Sequence, residues 1–82
     1  MRKYDKEQGG ILTRVVCNHC GQDLLVEQGY LKEGCFNADF SFGYFSKKDG
    51  MRHKFDLCEC CYNEMIKRFV VPVEETENTE LV

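Results

Sequence analysis

"CNHCGQDLL" at residues 17–25 and "DLCECCYNEM" at residues 56–65 each contain a Cys-x-x-Cys pair. Together Cys17, Cys20, Cys58 and Cys61 spell C-x2-C-x37-C-x2-C. A two-residue gap lets both sulfurs of a pair point at one centre, at zinc–sulfur distances near ~2.3 Å. Gly21 follows the first pair, and a glycine there permits the tight turn that aims backbone N–H groups at the sulfurs, a zinc knuckle. The second pair opens a stretch with helical periodicity, where the N–H groups and dipole of a helix N-terminus favour thiolates. The spacing predicts one structural zinc ion held by these four cysteines.

Two cysteines are left over. Cys60 lies inside the second pair and competes there with Cys58 or Cys61 as a ligand, but only the Cys58–Cys61 gap mirrors the first pair. Cys35 stands alone in "KEGCFNADF" and reads as a small core residue. His19, between the first two cysteines, is expected to point outward from the knuckle turn. His53 is expected to pack half-buried beside Met51 and Phe55.

The surrounding chain suits a small α+β zinc-binding domain. Its 82 residues allow one domain, and a core of that size often needs a metal, disulfides or a partner. The β-branched run "ILTRVV" at residues 11–16 predicts a strand into the first pair. Apolar residues flank Glu27-Gln28-Gly29, which predicts a short hairpin. Phe40, Phe42 and Tyr44 alternate, as do Met51, His53, Phe55 and Leu57, and Asp49-Gly50 between them signals a turn, so a second hairpin is expected. Tyr62, Met65, Ile66 and Phe69 form a helical stripe, with Asp56 as an N-cap or first-turn acid, Lys67 and Arg68 at the end, and Pro72 as a stop. The domain is thus expected at residues 11–73, after a flexible arm at residues 1–10 and before an acidic, disordered tail at residues 74–82.

Composition narrows the function. "MRKYDKEQGG" has no apolar core of a secretory signal, and no run approaches the ~18 apolar residues of a membrane span. A cytoplasmic protein is expected, with no membrane partner and with reduced thiols, so paired Cys-x-x-Cys units read as metal or redox sites rather than a disulfide framework. The net charge is −3, but four glutamates sit in the tail, at positions 74, 75, 77 and 80. Without them residues 1–73 come to about +1, so charge alone gives little nucleic-acid signal.

Catalysis finds little support. Four thiolates leave no open metal position for water. There is no H-E-x-x-H, no deaminase pattern and no glycine-rich phosphate loop. The chain is expected not to be an enzyme. A protein-interaction or regulatory module fits best, because Phe36, Phe40, Phe42, Tyr44, Phe45, Phe55 and Phe69 are many aromatics for one small sheet and one helix. A protein partner or a homodimer would cover them. One alternative is a nucleic-acid-binding accessory using Lys47, Lys48, Arg52 and Lys54 near Tyr44 and Phe45. The other is a thiol redox or metal-sensing protein, drawing on six cysteines.

The stretch from Cys17 to Pro72 resembles a group of small bacterial zinc-binding proteins of uncharacterised function. The resemblance lies in "CNHCG" (17–21), "GYFSKKDG" (43–50), "FDLCECCYNEMI" (55–66) and the F-x-x-P of Phe69 to Pro72. It implies a treble-clef or zinc-ribbon-like fold and no activity.

Overall fold

A computed structural model describes residues 1–78. It contains three short antiparallel sheets and one C-terminal helix. In the first sheet, strand β1 (Arg2–Asp5) pairs with β2 (Ile11–Val16), which pairs in turn with β3 (Asp23–Leu24). Residues 2–5, expected within a flexible arm, are therefore ordered in a sheet. The reason lies in the turn that follows. The Asp5 carboxylate accepts the Glu7 N–H at the start of a single 3₁₀ turn, and Gly10 N–H closes back on the Asp5 carbonyl at 2.9 Å. Gly9 and Gly10, at φ +74° and +82°, adopt a conformation other residues resist. The Gly-Gly pair is a hairpin closure rather than a flexible joint.

The knuckle fills the gap between β2 and β3. Cys17 N–H bonds the Gln22 carbonyl and Gly21 N–H bonds the Cys17 carbonyl, both at 2.9 Å, with Gly21 at φ +78°. Strands β4 (Val26–Glu27) and β5 (Tyr30–Leu31) form the predicted hairpin over Gln28-Gly29. Both turn residues have positive φ, the geometry that matches strand twist in a two-residue connection.

The third sheet is the long hairpin of β6 (Cys35–Ser41) and β7 (Arg52–Cys58), in unbroken register from Cys35 opposite Cys58 to Ser41 opposite Arg52. The expected alternation over Phe40, Phe42 and Tyr44 stops at Ser41, and Tyr44 and Phe45 belong to the connecting turns. Alternation gives the ribbon two unlike faces. Cys35, Asn37 and Asp39 share one with Lys54, Asp56 and Cys58. Phe36, Ala38 and Phe40 share the other with His53, Phe55 and Leu57. The helix α1 (Glu59–Lys67) packs on this apolar face, with the Tyr62 ring 5.1 Å from that of Phe36. Its N-cap is Cys58, not Asp56.

Asp56 has a different job. It is 2% exposed, and its carboxylate accepts from the Met1 ammonium at 2.9 Å, Arg2 Nε at 3.0 Å and Asn37 Nδ2 at 2.9 Å. Cys35 Sγ lies 3.6 Å from the same group. The Asp56 backbone is held as well: its N–H donates to Asn18 Oδ1, and its carbonyl accepts from Asn18 N–H. One residue, through its side chain and its backbone, thus ties β1, the knuckle and both strands of the long hairpin together. Burial alone would raise its pKa, but the ammonium, Asn37 and Arg2 outweigh burial and hold it at about 2.

The apolar core is small. Only Val15, Cys17, Leu24, Leu57 and Cys58 are buried apolar side chains among the described residues, and two of the five are cysteines of the predicted metal set. Leu12, Val26, Leu31, Phe55, Tyr62 and Met65 pack around them half-buried. Helix α1 buries no residue completely and ends at Lys67, five positions before Pro72. It is too short to cross a membrane, and no other helix among the described residues could do so. Residues 74–78 have no regular structure, and residues 79–82, the end of the expected acidic tail, lie outside the described residues.

Asp56→Ala in the zinc-loaded protein is expected to lower unfolding stability in urea by about 2–3 kcal/mol, because the Arg2 guanidinium and the ammonium lose their buried partner. Asp23→Ala breaks the Arg14–Asp23 pair, in which both side chains are half exposed, and should leave stability nearly unchanged. Equal losses from the two variants would show that Asp56 is no hub.

Candidate metal centre

The four cysteines of the two pairs converge. Their Sγ atoms all lie within 4.8 Å of one another, and Cys20 Sγ is 3.9 Å from Cys58 Sγ. A tetrahedral zinc with ~2.3 Å bonds to sulfur sets an S–S edge of about 3.8 Å, so the cluster needs little contraction to close on one ion. The knuckle contributes Cys17 and Cys20. The end of β7 and the first turn of α1 contribute Cys58 and Cys61. The inner sulfurs, Cys17 and Cys58, are buried, Cys61 is half-buried and Cys20 is exposed, so the cluster sits at the edge of the core with one rim toward solvent.

Electrostatics explain why this cluster calls for a cation. Burial disfavours the Cys17 thiolate, but backbone N–H groups of Cys20, Cys58 and His19 outweigh it and bring Cys17 down to about 6. Cys61 is pushed the opposite way: it shares a hydrogen bond with Cys58, is desolvated, and faces the sulfurs of Cys20 and Cys17. One sulfur ionises readily and another is strongly held back. Four thiolates this close coexist only around a positive ion. The backbone already assists, since Cys61 N–H donates to Cys58 Sγ at 3.4 Å. The donor set is all sulfur and four in number, which suits zinc in a closed structural site.

The remaining cysteines fall outside the cluster. Cys60 is exposed on α1, and its sulfur is not among the four. Cys35 is half-buried directly opposite Cys58 in the ladder, but it turns toward Asp56. Burial, then the Asp56 charge, pushes its thiol up, which makes it a poor nucleophile. His19 is exposed, as expected. It borders an apolar hollow of about 480 Å³ with Phe55, Leu57, Cys61, Met65 and Phe69. His53 is exposed rather than half-buried, because α1 covers only the Phe36 end of the apolar face. Its ring meets Phe42 edge-on at 5.1 Å.

The four basic residues have separate surroundings. Arg52 forms a two-point pair with Asp39, both contacts at 2.6 Å. Lys54 faces the polar side of the hairpin, beside Arg2, Tyr4 and Asp39. Lys48 reaches over the Phe42 ring, 5.3 Å from its centre. Lys47 stands exposed in the turn. The Asp56 network was missed in the sequence. Its one visible signal was a lone acid inside the apolar run Phe55 to Cys58.

Zinc-loaded protein should contain about one zinc per chain and unfold when a chelator removes it, since a metal in so small a core contributes folding free energy directly. Cys17→Ser and Cys58→Ser should lose both zinc and fold. Cys60→Ser should retain both, with a stability change under ~1 kcal/mol. Elemental analysis and circular dichroism read the two outcomes, and zinc lost from Cys60→Ser would overturn the ligand assignment. Compared with protein-family models, curated proteins and solved structures, the chain shows no match, so its function is read from its own geometry.

Proposed function

We propose that this chain is a non-catalytic, cytoplasmic interaction module of treble-clef type, in which one structural zinc fixes a small scaffold and the long hairpin presents its tip to a protein partner. The treble-clef assignment draws on the order of the ligands, two from a knuckle and two from a helix start with a hairpin between. The absence of catalysis draws on the ligand chemistry, since four thiolates complete a tetrahedron and leave no position for water.

One observation carries the interaction reading. Tyr44 and Phe45 are 83% and 99% exposed, yet their loop is tightly bonded. Phe42 N–H bonds the Met51 carbonyl at 2.9 Å, Ser46 N–H the Gly43 carbonyl at 3.0 Å, and Met51 N–H the Lys48 carbonyl at 2.9 Å. Ser46 Oγ accepts from Lys48 N–H. A pinned turn that holds two aromatic rings in water resembles a preorganised anchor for a partner pocket, where aromatics carry much of the binding energy. A second reading shares the same loop. Lys47 and Lys48 beside the two rings could grip single-stranded nucleic acid by stacking and phosphate contact. Arg52 adds little to it, being already paired. The thiol reading has only the exposure of Cys20 and Cys60 behind it.

Affinity capture from a cell extract with wild type, Tyr44→Ser and Phe45→Ser tests the interaction reading. Both variants should keep zinc and stay within ~0.5 kcal/mol of wild-type stability, as exposed positions do. Both should lose a partner that wild type retains. Oligonucleotide binding by fluorescence anisotropy should be absent at physiological salt. Binding that weakens steeply with salt and disappears in Lys47→Ala/Lys48→Ala would replace the protein partner with nucleic acid.

A further inference from the structure

The long hairpin has one guarded edge and one open edge. On β7, Asp56 directs its backbone N–H and carbonyl away from β6, to Asn18. In an antiparallel pair the hydrogen-bonded and non-bonded positions alternate. Phe36, Ala38 and Phe40 therefore bond inward to Leu57, Phe55 and His53, and the backbone groups of Cys35, Asn37, Asp39 and Ser41 point out from β6. Among the described residues, no backbone hydrogen bond outside the ladder involves residues 35–41. Only β7 and α1 pack extensively on this strand. Proteins usually blunt such edges with proline, lysine or a bulge. Strand β6, "CFNADFS", has none of these, and its one charge, Asp39, is already held by Arg52.

We propose that two copies of the chain pair edge to edge through β6, antiparallel about a two-fold axis at Ala38. The strand is self-complementary in that register. All seven residues of β6 find partners, with Asn37 opposite Asp39 of the second copy in the hydrogen-bonded positions. Phe36 faces Phe40 of the second copy in a non-bonded position, where Cα atoms approach to about 4.5 Å and side chains meet most closely. Ala38 meets Ala38 on the axis, small enough for close approach. A shift of the axis to Asp39 would set two carboxylates against each other. A shift to Asn37 would leave Phe40 and Ser41 unpaired.

The rest of the apolar face fits the same arrangement. Phe40 is 58% exposed, while Phe36 is partly covered by Tyr62. A hollow of about 180 Å³ lies at the Phe36 end, lined by Cys35, Phe36, Glu59 and Tyr62. Antiparallel pairing brings Phe40 of the second copy to that end. The two helices then lie at opposite ends of a four-stranded sheet, each sheltering the phenylalanine its partner leaves exposed. This interface is the strand edge and not the tip, so it stands or falls separately from the interaction reading above.

Sedimentation equilibrium of the zinc-loaded full chain, from ~5 to ~500 µM, decides whether the dimer forms; twice the 9.6 kDa chain mass is expected at the upper end. Phe40→Lys should raise the dimer dissociation constant by ~10-fold or more while zinc content stays unchanged. Ser41→Pro removes an outward N–H without touching the hairpin ladder and should do the same, which keeps the test decisive if the first variant folds poorly. Amide exchange followed by NMR should slow at Asn37, Asp39 and Ser41 as concentration rises. A single 9.6 kDa species throughout overturns the proposal. So does a dimer insensitive to both variants, or one whose Asn37 and Asp39 amides exchange as fast as in the monomer, because the contact would then lie elsewhere.

Discussion

Four sulfurs from two distant parts of the chain share one small volume, and the fold follows from that convergence. Without a cation the cluster holds Cys17 readily ionised and Cys61 strongly protonated. With a divalent ion at its centre, the same groups become the firmest link between the knuckle and the helix. Among the described residues, two of the five buried apolar side chains belong to this cluster. Few buried side chains are left to offset the entropy of ordering the chain, so a metal held by the four sulfurs would do much of what a larger core would do.

Strand β7 concentrates the remaining work in three consecutive residues. Asp56 gathers the amino-terminal strand, the knuckle and β6 by charge and hydrogen bonds. Leu57, on the opposite face, enters the core beneath α1. Cys58 places a sulfur in the cluster and caps the helix. Because neighbouring side chains on a strand point to opposite faces, one short segment serves a polar face and an apolar face at once. Asp56 is buried yet fully partnered, and no buried side-chain nitrogen or oxygen among the described residues lacks a partner.

The distribution of aromatics follows from the size of α1. At nine residues it covers only the near end of the hairpin's apolar face. Phe36 is partly covered there by Tyr62, while Phe40 and the tip extend past the helix, so the exposed rings form a continuation of the core rather than scattered surface residues. Ring contacts join Phe40 to Phe42 at 5.0 Å and Phe42 to His53 at 5.1 Å, which makes the far end of the hairpin a connected apolar surface.

The amino-acid sequence by itself determined the local events. The paired cysteine spacing and Gly21 specify the knuckle, Gln28-Gly29 the short hairpin, and the stripe at Tyr62, Met65 and Ile66 the helix, because each depends on residues a few positions apart. The tertiary structure decided what depends on distant partners. It excluded Cys60 from the cluster, because α1 turns that side chain to solvent. It ordered residues 2–5, because β2 offered a strand to pair with and Asp56 a carboxylate to bind. It left His53 in water, because the helix is too short to reach it. It also made Asp56 a buried anchor instead of a helix cap, since four donors that converge on one carboxylate come from positions as far apart as Arg2 and Asn37, and no local pattern in the chain records their meeting.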